Sequence, residues 1–180
     1  MFNRVTAALV AFPIAFSTAI SNAPANSDGL TSIEELGSKI FFDKQLSIRR
    51  NQACATCHVP EAGWVGDDPR INEAGAVYEG SIPGELGNRK PPSSAYASVA
   101  PIFYADFSED PDNPLFVGGN FWDGRATGWK LGNPAADQAQ GPFLNPVEQA
   151  LPDAACVVYR VCEGTYGILA DSVWGTEACM

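Results

Sequence analysis

The sequence predicts an all-α fold with long loops. Three observations lead there. Apolar residues recur at helical spacing near the start, at Ile33, Leu36, Ile40 and Phe41. Several prolines stand where a helix can begin, in Asn133-Pro134, Asn145-Pro146 and Leu151-Pro152. Alternating strand patterns are weak throughout. With 180 residues, the chain is long enough for one domain with a real core.

Taken in order, residues 1–25 read as a secretory signal. Arg4 supplies the positive start, Val5 to Ile20 are mostly apolar, and Ser21-Asn22-Ala23 and Ala23-Pro24-Ala25 are small-residue cleavage sites. The expectation is export to the periplasm, an oxidising compartment. Residues 26–180 then form the mature domain, with no membrane span after signal cleavage. The formal charge is −10, and residues 1–25 hold Arg4 and no acid. The mature part is therefore more acidic still, which argues against nucleic acid and anionic lipid as partners.

Ser32 and Glu35 fit a capping box at the start of the first helix. Residues 60–120 are rich in Gly, Pro, Asp and Asn and read as loop, with a brief helix near Ala95–Ala100. So long a loop inside a compact domain is expected to be pinned by something large. Further helices are expected from about Pro134, Pro146 and Pro152, and another from Tyr166 to Trp174, ending at Gly175.

Cys54-Ala55-Thr56-Cys57-His58 is the C-x-x-C-H pattern of c-type haem attachment. On a helix, positions i, i+3 and i+4 share a face. Two thiols can then reach the porphyrin edge while the next imidazole turns under the iron. The competing readings are a zinc site, which needs a distant fourth ligand such as Cys156, and a redox dithiol, which needs a βαβ context. One covalent haem c, with His58 as the axial ligand of its iron, makes the expected domain cytochrome c-like. His58 is the only histidine, and the only methionine after signal removal is the last residue, Met180. Electron carriers usually fill both axial positions. The count favours an open sixth position, and so chemistry on a small ligand.

Around this motif stand Leu36-Gly37-x-x-Ile40-Phe41-Phe42-Asp43, Glu61-x-Gly63-Trp64, Arg89-x-x-Pro92-Ser93 and Phe121-Trp122-Asp123-Gly124-Arg125-Ala126. Gln138-Ala139-x-Gly141-Pro142 and Asn145-Pro146-x-Glu148 follow. The ordered set, from about Leu36 to Leu151, resembles the N-terminal, peroxidatic haem domain of the bacterial di-haem cytochrome c peroxidase and MauG family.

The resemblance implies an enzyme that reduces hydrogen peroxide to water with electrons from a redox donor such as a small cytochrome or a cupredoxin. It gives Trp122 the place of an electron relay between two haems. It puts Gln138, Pro142 and Glu148 on the open face of the haem, with Glu148 moving a proton between the peroxide oxygens. Arg89 or Arg125 would pair with haem propionates. The stretch from Gly128 to Asp137 is longer than the family's usual form, so the placement of Gln138 rests on its own local motif.

The family's second haem motif and axial methionine are missing from this sequence, so the resemblance also suggests a C-terminally truncated chain. It implies calcium at an interface with the absent half. The alternatives to a peroxidase are a mono-haem electron-transfer protein and a haem-binding fragment without turnover. Three cysteines remain outside the haem motif. Cys156 and Cys162 fall on different faces of one helix, which favours a Cys162–Cys179 disulfide.

Overall fold

The computed structural model describes residues 29–175 and 177–179. The expected signal segment lies outside the described residues. Among the described residues there are seven helices: α1 (Ser32–Phe42), α2 (Cys54–Cys57), α3 (Pro69–Glu73), α4 (Pro134–Ala139), α5 (Gly141–Leu144), α6 (Ala154–Glu163) and α7 (Gly167–Trp174). Two short strands, β1 (Tyr104–Asp106) and β2 (Leu115–Val117), pair antiparallel with Ala105 opposite Phe116. This ribbon was not foreseen, because three residues per strand are too few to show alternation. No described helix is long and apolar enough to cross a membrane.

The capping box of α1 lies one residue earlier than the sequence suggested. Thr31 is the cap, its Oγ1 accepting from the Glu34 N–H, while a Glu34 carboxylate oxygen accepts from the Thr31 N–H at 2.8 Å. Both pairs carry Ser or Thr three residues before Glu, so pattern alone could not separate them. From this start the helix turns Leu36 inward, where it is buried with Leu46, Val161, Tyr166 and Ala170. Ile40, Phe143, Leu169 and Val173 pack against them. The core thus joins α1, α6 and α7.

Polar clasps fix the loop after α1 to this core. The Tyr166 hydroxyl donates to Asp43 Oδ2 at 2.5 Å. Arg160 on α6 donates to the Gln45 carbonyl at 2.7 Å and also to the Ser47 carbonyl. A disulfide joins Cys162 to Cys179 and holds the end of the described chain against α6. Cys156 is free.

Two expected helices differ. The segment after Asn145-Pro146 is a turn: the Asn145 carbonyl accepts from both Glu148 and Ala150 N–H groups, and Gln149 N–H returns to the Pro142 carbonyl. Ala150, at φ 57°, leaves the right-handed helical region and stops propagation. The helix expected from Pro152 begins at Ala154, because Asp153 caps it by accepting from the Cys156 N–H at 2.7 Å. Near Ala95–Ala100 there is a single 3-10 turn, Ala97–Val99.

Candidate functional site

The haem-type motif occupies one helical turn. The Ala53 N–H donates to Thr56 Oγ1 at 2.9 Å, which closes the turn at its start. His58 already stands outside it, at φ −121° and ψ 70°, with its N–H still donating to the Cys54 carbonyl.

The following loop orients the ring. Gly63 and Trp64 both take left-handed backbone, φ 73° and 65°. A bridge between Val59 and Val65 closes the loop, and Trp64 N–H returns to the Val59 carbonyl at 2.8 Å. The turn aims the Trp64 carbonyl at His58 Nδ1, 3.1 Å away. With Nδ1–H donating to that carbonyl, the Nε2 lone pair is left for a metal. The sequence pointed to no particular partner for this bond.

Two adjoining cavities, of about 430 and 500 Å³, meet at His58. Both are lined by Cys57, Trp122, Gln138, Pro142 and Glu148. Cys54 faces the smaller one, and Arg89 and Arg125 face the larger. All nine residues singled out from the sequence therefore line one hollow. Gln138 arrives there through α4, which Asn133 caps while its Nδ2 donates to the Ser98 carbonyl at 3.1 Å. Glu148 arrives through the turn, and Gly80 lies so close to the Val147 and Glu148 carbonyls that a Cβ would collide with them.

The electrostatics divide the hollow. Burial pushes Cys54 and Cys57 up to about 11, which keeps them as thiols. Redox dithiols show the opposite shift, and among the described residues no group of three or more His, Cys, Asp or Glu could hold a metal ion. Burial also raises the pKa of Glu148, against opposing pulls from Asn145, His58 and Arg125. Trp122, at 84% exposure, stands at the rim.

Arg89 and Arg125 both pair with Asp123, at 3.1 and 2.9 Å, and Arg125 also stacks over the Phe121 ring at 3.6 Å. Asp123 is thus the shared partner of the two arginines, of which the sequence reading offers one or the other to a haem carboxylate.

A profile of the di-haem cytochrome c peroxidase family matches residues 31–179. The chain belongs to that family. It is 40% identical over 131 residues to the methylamine utilization protein MauG of Paracoccus denitrificans, which is 72% of this chain and 30% of that protein. It is 33% identical over 114 residues to the cytochrome c551 peroxidase of Pseudomonas aeruginosa, covering 63% of this chain and 24% of that one. Among solved structures, the diheme peroxidase BthA of Burkholderia thailandensis, in a variant form, superposes with a TM-score of 0.71 at 30% identity. That match covers 82% of this chain and 34% of BthA. The chain thus spans about a third or less of the length of these relatives.

A family of di-haem cytochromes implies haem c, and the hollow fits it. Two thiols, an imidazole with one nitrogen engaged and a cavity of ligand size are in place. Among the described residues, four buried side-chain polar atoms lack a hydrogen-bond partner: Gln52 Oε1, Ser94 Oγ, and Nε2 and Oε1 of Gln149. All three residues line the smaller cavity. Buried polar groups without partners are rare in folded proteins, so this clustering marks a site that receives another molecule. Sequence reasoning missed Gln52, Ser94 and Gln149, which belong to no recognised motif.

Proposed function

We propose that the chain is the peroxide-reducing haem domain of an exported cytochrome c peroxidase-type oxidoreductase. Cys54 and Cys57 hold one haem c by thioether bonds, and His58 Nε2 binds its iron. When bound, the haem would supply the redox chemistry by which hydrogen peroxide takes up two electrons and two protons to give two waters.

The chain's own residues do the rest. The Trp64 carbonyl draws on the Nδ1 proton of His58 and raises the basicity of Nε2. Glu148 moves a proton from one peroxide oxygen to the other, with Gln138 and Pro142 on the same wall. Arg89 and Arg125 have guanidinium groups suited to haem carboxylates at the mouth of the larger cavity. Electrons come ultimately from a donor protein, a small cytochrome or cupredoxin, and Trp122, exposed at the rim, stands where the resemblance puts a relay between two haems. A periplasmic setting suits the disulfide. Calcium at an interface with further family sequence is an expectation from the resemblance alone.

The observation that carries this reading is the placement of Glu148. It is a half-buried carboxyl with a raised pKa, lining the same hollow as the only histidine. The test is an optical and EPR spectrum of the haem-loaded chain before and after hydrogen peroxide. A high-spin ferric signal that peroxide alters, and alters far more slowly in Glu148→Gln, supports it. A low-spin spectrum indifferent to peroxide overturns it in favour of electron transfer alone.

A further inference from the structure

Gln149, next to Glu148, plays no part in this chemistry as described, and its side chain lacks any partner. It is 2% exposed. Its backbone is engaged: the N–H donates to the Pro142 carbonyl at 3.1 Å and the carbonyl accepts from Ile48 N–H at 2.8 Å. Neither Nε2 nor Oε1 has a protein partner. Gln52, 6% exposed, lines the same cavity. Its Nε2 donates to the Glu79 carbonyl at 3.1 Å and toward Cys57 Sγ at 3.8 Å, which leaves Oε1 without a donor. One donor and two acceptors, all buried, therefore stand ready on one cavity.

Position narrows the occupant. Cys57 and Gln52 line both cavities, but Cys54 and Gln149 line only this one, on the side where a c-type haem would be anchored through carbon–sulfur bonds and offer little to hydrogen bond with. The cations suited to haem carboxylates, Arg89, Lys90 and Arg125, line the other cavity, which Gln149 does not reach. A carboxylate is therefore a poor partner for Gln149. A buried water, by contrast, needs two to four polar partners and is the usual answer to orphaned amides.

We propose that Gln149, with Gln52, binds an ordered water at the cysteine edge of the haem cavity. The water accepts from Gln149 Nε2 and donates to Gln52 Oε1. Its second O–H is free for a small ligand on the Glu148 side, and Gln149 Oε1 can accept from a further water. Gln149 is thus a positioning residue, acting through the water it holds. The inference rests on the reading that this side of the haem is open to small ligands.

The test uses carbon monoxide as the probe on the reduced, haem-loaded chain, read by the infrared C–O stretch in H₂O and in D₂O. A hydrogen bond to the ligand lowers the stretch and makes it sensitive to deuterium. The expected result is a deuterium-sensitive band that moves to higher frequency and loses that sensitivity in Gln149→Leu, with partial recovery in Gln149→Asn. Carbon monoxide that binds with the same band in the unmodified chain and in Gln149→Leu overturns the inference and leaves the open site standing. No binding at all removes the open site, and the inference with it. Should Gln149→Leu not take up haem, Gln52→Leu, which deprives the same water of its acceptor, is read by the same criteria.

Discussion

The Trp64 carbonyl lies 3.1 Å from His58 Nδ1 and holds the imidazole from behind. The bond depends on two successive residues with left-handed backbone, Gly63 and Trp64. The acceptor is main chain, so no side-chain deletion removes it, but the turn that aims it can be strained.

Gly63→Val should do so. A β-branched residue at φ 73° costs on the order of 1–2 kcal/mol and favours a different turn. With the acceptor displaced, His58 becomes a weaker donor to iron and the ferric state is less stabilised. The midpoint potential of the haem-loaded chain should become more positive. A redox titration checks this, and an unchanged potential with a weakened fold would deny the carbonyl that role.

Glu148 should impose a pH dependence of definite sign. Burial, the largest influence, holds its proton above the ordinary 4.5 of a free carboxyl. Glu148 accepts a proton only when ionised, so the rate of reaction with peroxide should rise with pH through that raised value. Glu148→Gln should slow the reaction by about 10²–10⁴-fold and remove that limb of the profile. For stability the sign is reversed. The folded chain binds this proton more tightly than the unfolded chain, so the contribution is present below 4.5 and lost as pH rises through the raised folded value.

Gly80 should prove intolerant of a side chain. A Cβ there would collide with the Val147 and Glu148 carbonyls, and the neighbouring Ser81 N–H already donates to Glu148 at 2.7 Å. Gly80→Ala should cost about 1–3 kcal/mol by overpacking and also displace the Glu148 turn. Thermal unfolding reads the first effect and peroxide kinetics the second. A loss of stability with kinetics intact would show that the turn absorbs the strain.

Asp123 pairs with Arg89, 34 residues before it in the chain, and with Arg125. Desolvation pushes its carboxyl up, but hydrogen bonds from Arg125 and Arg89 outweigh this and hold it below the usual range. The stability this adds is present above the unfolded pKa and lost as pH falls through the lowered folded value. Melting temperatures of the native chain and Asp123→Asn should therefore differ near neutrality and converge in acid. A constant gap would mean that the pair is silent.

The Cys162–Cys179 disulfide closes a loop with a sequence separation of 17. A crosslink of that span contributes about 3 kcal/mol by restricting the unfolded chain. Cys179→Ser should lower the denaturation midpoint accordingly, and a reductant should then have no further effect.

By itself the sequence determined the chemistry that local spacing dictates. Cys54, Cys57 and His58 show the spacing of haem attachment within five residues, and helix starts near Ser32 and at Pro134 follow from caps, a proline and apolar periodicity. The count of one histidine pointed to an open side before any geometry was available. What needed the tertiary structure was everything that joins distant segments through main-chain atoms or space. The Trp64 carbonyl is invisible to pattern because every residue has one. Asp123 reads as part of a turn until Arg89 is folded onto it. The turn at Asn145–Ala150 replaced an expected helix because its hydrogen bonds return to α5, a choice that a proline start signal cannot reveal. Gln52 and Gln149 look like ordinary polar residues in a row of letters. Only packing, by burying their amides beside the same cavity and giving three of the four polar atoms no partner, made them part of the site.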